Sequence, residues 1–230
     1  LKAKRFEATG NPLRGRLGAL SKAEGLARLG LDWPPDRPVL AVVGGSQGAR
    51  TLNRAVVGAL PGLLERACVL HQTGPKLYDE TMALLPPALR DHPGYRVQAF
   101  YESMEAVWAT ADLAVCRAGS LTLSELYLSG TPSVLVPFPF AAANHQLRNA
   151  EASVQAGAST LLADADCGPE ALAAQVFALL AEPDRLAAMS AAAKALAAPH
   201  ATERIVGLLL AASSNGAAAS FGQGESRPGG

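Results

Sequence analysis

The run Val39-Leu40-Ala41-Val42-Val43 stops at Gly44-Gly45, and from Gly48 onward apolar residues return at helical spacing, at Leu52, Ala55, Val56, Ala59, Leu60 and Leu63. A short apolar run with no polar face has nothing to turn toward solvent, so it reads as a strand buried on both sides. The same alternation recurs downstream. Strands are expected at Val39–Val43, Cys68–Gln72, Arg96–Phe100, Leu113–Cys116, Ser133–Val136 and Thr160–Leu162. Helical patterns follow Gly119 (Leu121, Leu123, Leu126, Leu128) and Pro139 (Leu147, Ala150, Val154, Ala158). Strand, helix, strand in this order makes an α/β fold: a Rossmann-like parallel sheet with helices on both faces.

Composition agrees. Of 230 residues, 49% are hydrophobic but only 5% aromatic, so the core is Ala, Leu and Val rather than an aromatic sandwich. Twenty basic residues balance 20 acidic ones, which leaves no electrostatic footprint for nonspecific nucleic-acid binding. Cys68, Cys116 and Cys167 are odd in number and far apart, which excludes a disulfide framework and a cysteine zinc site and suggests a reducing compartment. No apolar run reaches the roughly 18–20 residues of a membrane span, and no signal peptide opens the chain. The sequence begins at Leu1, as a piece of a longer protein would. From Gly168 to Ala212 the strands cease, and helices broken near Pro183 and Pro199 are expected to close the domain. The tail 213–230 is Gly, Ser and Ala with little else, and disorder is expected there.

Ligands of such sheets sit at the carboxyl ends of the strands, where loops lead into helices. Four loops qualify. Gly44-Gly45-Ser46-Gln47-Gly48-Ala49 offers flexible backbone and a helix N-terminus, both suited to a phosphate. It is not a Walker loop, because no Lys-Ser/Thr follows. Taken alone it is equally a plain strand-to-helix turn. In Arg117-Ala118-Gly119-Ser120-Leu121-Thr122, the residues Gly119, Ser120 and Thr122 make a second anion cradle. Glu125, one turn further on, suits a pair of vicinal ribose hydroxyls, although a carboxylate near a helix start also simply favours the dipole. After Pro137-Phe138-Pro139-Phe140, the side chains of Asn144, His145 and Gln146 cluster at a helix start and suit sugar hydroxyls; the plain alternative is an N-cap at Asn144. Thr9-Gly10-Asn11-Pro12-Leu13 is a turn, and Arg14 beside it is a candidate diphosphate clamp or an ordinary surface arginine.

Other readings fail. Asp164-Ala165-Asp166 imitates a metal–diphosphate motif, but its place beside Cys167-Gly168-Pro169 favours an acidic helix-opening turn. The four histidines show no metal-ligand spacing, no metal or cofactor is expected, and no Gly-x-Ser-x-Gly elbow appears.

The order of these motifs resembles the MurG family of glycosyltransferases. The resemblance rests on residues 9–14, 44–49, Gln72-Thr73-Gly74, Phe100 to Met104, Ala111-Asp112-Leu113, Arg117 to Glu125, Gly130-Thr131-Pro132 and the pairs His145-Gln146 and Asn149-Ala150. It runs from about residue 9 to about residue 162. It implies an inverting, metal-independent enzyme of the GT-B architecture. Such an enzyme moves N-acetylglucosamine from UDP-N-acetylglucosamine to lipid I, forming lipid II for peptidoglycan.

Residue by residue, the resemblance implies the following. Arg14 and Ser46, with Gln47 beside it, stand near the donor diphosphate. The backbone of Tyr101 meets the uracil. Gly119, Ser120, Leu121 and Thr122 pass under the phosphates, and Glu125 binds the ribose. Asn144, His145 and Gln146 cover the positions that meet the sugar, none of them singled out. Many members carry His where this chain has Phe140 and Asp where it has Ala143, so polar groups are missing beside the sugar. The implied domain organisation is a linker and domain start over 1–15, a donor-binding domain over 16–212 and the tail. The amino-terminal acceptor domain, with the catalytic base, is expected outside this stretch, so the piece alone is expected to be inactive. Peripheral contact with the cytoplasmic face of the bacterial membrane is implied mainly for that other half. Alternatives are a transferase with another acceptor, a donor-binding subunit of a split transferase, and a noncatalytic UDP-sugar binding module.

Overall fold

The structure, a computed structural model, describes residues 7–13 and 17–220, with backbone alone over 214–220. The chain divides into two compact units, one of residues 14–197 and one joining residues 1–13 to 198–230.

The larger unit opens with α1 (Lys22–Arg28), a short helix that the sequence reading passed over. A capping box fixes its start: the Ser21 side chain accepts from the Glu24 N–H, and the Glu24 carboxylate accepts from the Ser21 N–H. Then follow β1 (Val39–Val43), α2 (Arg50–Arg66), β2 (Cys68–Gln72), α3 (Tyr78–Leu84), α4 (Pro87–Arg90), β3 (Tyr95–Gln98), α5 (Met104–Thr110) and β4 (Leu113–Cys116). After them come α6 (Ser120–Ser129), β5 (Ser133–Leu135), α7 (His145–Gln155), β6 (Ser159–Leu161), α8 (Pro169–Leu180) and α9 (Pro183–Ala195). The six strands form one sheet in the order β3-β2-β1-β4-β5-β6, every neighbouring pair parallel. The α/β expectation therefore holds, with three expected strands in place and three trimmed or shifted. The β3 ladder ends at Gln98 rather than Phe100 because its partner β2 ends opposite it, at Gln72.

Burial explains the alternation along the strands. Leu40 and Val42 face a core built with α2 and α8, through Leu52, Val56, Leu60, Leu63, Leu172 and Val176. Val39, Ala41 and Val43 face the opposite core with α1, α5 and α6, through Leu26, Trp108, Leu123 and Leu126. Each fully buried Leu or Val contributes about 1.5–3 kcal/mol, and a central strand needs such residues on both faces.

The order β3-β2-β1-β4-β5-β6 places the topological switch between β1 and β4, whose last residues, Val43 and Cys116, are paired. This is where a doubly wound sheet opens a ligand crevice. The loop after β1 is held by glycine. Gly48 has φ +77°, and a Cβ there would lie 2.5 Å from the Thr73 carbonyl oxygen. A Cβ on Gly74, φ +83°, would collide with the Gly48 backbone. The two loops thus pack main chain against main chain, which only this glycine pair permits.

In the smaller unit, α10 (Ala201–Ser220) is the main element, and Arg204 pairs with Glu7 at 2.9 Å. The helix runs to Ser220, well into the stretch where disorder was expected from 213; residues 221–230 lie outside the described ones. Among the described residues, no helix is long and apolar enough to cross a membrane.

Candidate functional site

Two long helices begin directly above the switch point. The first is α2, entered from the Gly44–Gly48 loop through Ala49, whose methyl group caps nothing. The second is α6, entered from Gly119 in extended conformation (φ −68°, ψ 142°), again with no side-chain cap among the described residues. The first turn of a helix has N–H groups without intrahelical partners and a partial positive charge. Two such ends leaving paired strands present donors and partial positive charge that suit an anion.

Several of the residues expected from the sequence stand on the loops and first turns that lead into these two helices. Ser46 and Gln47 are exposed at the tip of the first loop, and Gln47 Oε1 accepts from Lys76 Nζ at 2.9 Å. Ser120 and Leu121 are exposed at the start of α6, Gly119 and Thr122 are half-buried, and Ala118 is buried beneath them. Asn149 of α7 donates to the Ala118 carbonyl at 3.1 Å and so ties α7 to the second loop. Arg14 lies outside the described residues.

Glu125 is half-buried on α6, and its Oε2 accepts from Trp108 Nε1 at 2.9 Å. Burial pushes its carboxyl pKa up, and the indole hydrogen bond opposes that by favouring the charged form. Tyr101 turns out to be a core residue. Its ring is buried, its hydroxyl donates to the Arg96 carbonyl at 2.8 Å, and its backbone N–H donates to the buried Gln72 side chain at 2.9 Å. A base reading this position by its backbone therefore meets the carbonyl rather than the N–H. Phe100, next to it, is exposed.

The loop from Pro137 to His145 is locally strained. Ala143 and Asn144 have φ +50° and +53°, the only non-glycine positive values among the described residues. Each costs on the order of 1–3 kcal/mol, and such conformations gather at functional sites. Asn144 stands at the N-cap of α7 but makes no side-chain cap bond, contrary to the plain alternative. His145 Nδ1 lies 2.7 Å from the Ala142 carbonyl, which places the proton on Nδ1 and leaves Nε2 as an acceptor. Gln146 Oε1 accepts from the Phe138 N–H at 2.9 Å. One oxygen is thereby used to hold the loop, and the amide nitrogen is left for other contacts.

Several residues without an expected role also reach this region. Arg117 Nη1 donates to Asp164 Oδ1 at 2.5 Å and to the Val136 carbonyl at 3.0 Å, and its guanidinium lies 5.5 Å from the Phe138 ring centre. Asp164 also accepts from Thr51 at 3.2 Å. Asp164, which opens the acidic turn Asp164–Asp166, is thus paired with an arginine and a threonine. Arg117, Thr51 and Asp164 line a cleft of about 790 Å³ with Gln47, Lys76 and Phe140. Arg117 had a signal in the sequence, since it directly follows a strand. Its partner, 47 residues away, stood out only as part of an acidic turn, with nothing in the sequence to join it to Arg117.

Comparisons with known proteins agree with the fold. The family model for the glycosyltransferase family 28 C-terminal domain matches residues 39–205. A UDP-N-acetylglucosamine–N-acetylmuramyl-(pentapeptide) pyrophosphoryl-undecaprenol N-acetylglucosamine transferase from Gloeobacter violaceus is 46% identical over 177 residues, covering 76% of this chain and 48% of the relative. A transferase of the same name from Acidothermus cellulolyticus is 42% identical over 205 residues, with 87% and 55% covered. The crystal structure of MurG from Acinetobacter baumannii superposes with TM-score 0.67 at 32% identity, over 90% of this chain and 57% of that one. The chain spans about half the length of the curated relatives it matches.

Proposed function

The chain belongs to the MurG family, within the glycosyltransferase family 28 C-terminal domain, and on that premise we propose that it binds UDP-N-acetylglucosamine and supplies the donor side of its transfer to lipid I. The observation that carries the reading is the pair of uncapped helix N-termini, α2 and α6, above the paired ends of β1 and β4, with Glu125 on the second helix.

In this reading the diphosphate lies over Ser46, Gln47, Gly119, Ser120, Leu121 and Thr122, with Arg14 as a further clamp. As the glycosidic bond breaks, negative charge grows on the leaving UDP. Helix N–H groups already aimed at the phosphates stabilise that charge without rearranging. Glu125 accepts from the ribose hydroxyls, the Tyr101 carbonyl meets the uracil, and Asn144, His145 and Gln146 meet the sugar. The helix ends supply the electrostatic role that a metal plays in other transferases, so the proposed chemistry is metal-independent. Lipid II is the product, and the enzyme acts in peripheral contact with the cytoplasmic face of the membrane, where lipid I is presented.

Calorimetric titration with UDP and UDP-N-acetylglucosamine tests this. Both ligands are expected to saturate, and Glu125→Ala is expected to weaken each by about tenfold or more, the worth of a hydrogen-bonded charged group. Undiminished affinity in a folded Glu125→Ala protein would remove Glu125 from the site.

A further inference from the structure

We propose that Trp108 is a positioning residue for the donor: its indole N–H fixes the Glu125 carboxylate in the ionised, oriented state that receives the ribose hydroxyls. The inference rests on the reading of Glu125 given above.

Trp108 sits on α5 and is 2% exposed, packed with Tyr101, Val107, Leu123 and Leu126. An indole nitrogen only donates, so a buried one needs an acceptor. Here the acceptor is Glu125 Oε2, 2.9 Å away on the neighbouring helix. Many residue types would fill the apolar space between α5 and α6. Far fewer fill it while offering a rigid donor to a carboxylate. The bond does two things. It occupies one lone pair of Oε2, so the plane of the carboxylate is set before any ligand arrives, and Oε1 stays available for a second donor. It also opposes the desolvation that pushes Glu125 toward its neutral form, in which one oxygen would carry a proton and stop accepting. A vicinal diol presents two donors and calls for two accepting oxygens. A carboxylate that is ionised and held in one orientation meets that need at lower entropic cost than a mobile one. Trp108 itself touches no ligand in this account.

Trp108→Phe keeps an aromatic ring in the core and deletes the donor. The test compares UDP with 2′-deoxy-UDP, by titration across pH, in the parent protein, Trp108→Phe and Glu125→Gln. The parent is expected to prefer UDP by about tenfold. In Trp108→Phe that preference is expected to shrink severalfold. The acid limb of UDP binding is expected to move to higher pH, because loss of the indole bond lets the carboxyl pKa rise. A purely structural role moves neither the ratio nor the limb. In the unsubstituted protein, the Trp108 indole N–H resonance is expected to shift as Glu125 titrates and again on binding UDP. This second readout holds even if the variant fails to fold. If Glu125→Gln weakens UDP binding while Trp108→Phe leaves ratio and acid limb unchanged, or if the indole resonance does not move, the positioning role is overturned and the donor reading stands. If Glu125→Gln leaves UDP binding unchanged, the reading of Glu125 falls and the role of Trp108 falls with it.

Discussion

Two polar constellations in the larger unit make opposite use of hydrogen bonds. The first is buried. Asn53 Nδ2 donates to the Thr73 carbonyl at 3.0 Å and to Thr81 Oγ1 at 3.2 Å, so its oxygen is the side turned to His71 Nε2, 3.1 Å away. His71 Nε2 therefore carries the proton, and Nδ1 accepts from the Tyr95 hydroxyl at 2.9 Å. The Thr81 hydroxyl in turn donates to the Leu77 carbonyl at 2.7 Å. Each of these donors meets an acceptor inside the protein, and nothing is left for a ligand. The second constellation, at the β1/β4 switch, is the reverse: helix ends without side-chain caps, exposed Ser46 and Ser120, and residues at positive φ beside His145. A closed network holds elements of the fold together, whereas uncapped helix ends and local backbone strain are features that suit a ligand site.

Substitutions separate the two. Asn53→Ala leaves the His71 N–H and the Thr73 carbonyl without partners and opens a small cavity. A loss of about 3 kcal/mol of stability is expected by denaturant titration, with UDP affinity per folded molecule unchanged. Next comes acid. Burial lowers the His71 pKa from 6.5 to about 3, so below pH 6.5 the unfolded chain takes up a proton that the folded one refuses. The stability tied to His71 is thus full above pH 6.5 and is lost as pH falls toward 3. Between pH 7.5 and pH 5 the loss is about 2 kcal/mol, and it should vanish in a stably folded His71→Gln protein. The smallest effect belongs to the open region. Ala143→Gly relieves a left-handed alanine and is expected to raise stability by up to about 1 kcal/mol, read as a small increase in Tm. If Asn53→Ala abolished UDP binding in folded protein, or if Ala143→Gly were destabilising, the contrast between the regions would not hold.

The strands were legible because central parallel strands carry apolar residues on both faces, and Val39–Val43, Cys68–Gln72 and Leu113–Cys116 do. The loops at their ends were legible because glycine marks backbone that side chains cannot follow, as at Gly48 and Gly74. Short helices were missed. α1 carried a readable capping box at Ser21 and Glu24, but its seven residues hold too little apolar periodicity to stand out. The end of α10 was hidden by composition, since Ala and Ser suit both a helix and a disordered tail. The polar pairings were the least legible. Trp108 with Glu125, Arg117 with Asp164 and Gln72 with the Tyr101 N–H join residues that only the fold brings together. For Tyr101, sequence order gave the position but not the burial of its ring.

The central claim is that the donor occupies the switch point between β1 and β4, and a crystal structure of the protein with UDP tests it most directly. The account predicts the diphosphate over Ser46 and Ser120, at the ends of α2 and α6, and both ribose hydroxyls on Glu125. UDP bound with its diphosphate away from Ser46 and Ser120 and with Glu125 untouched would contradict it.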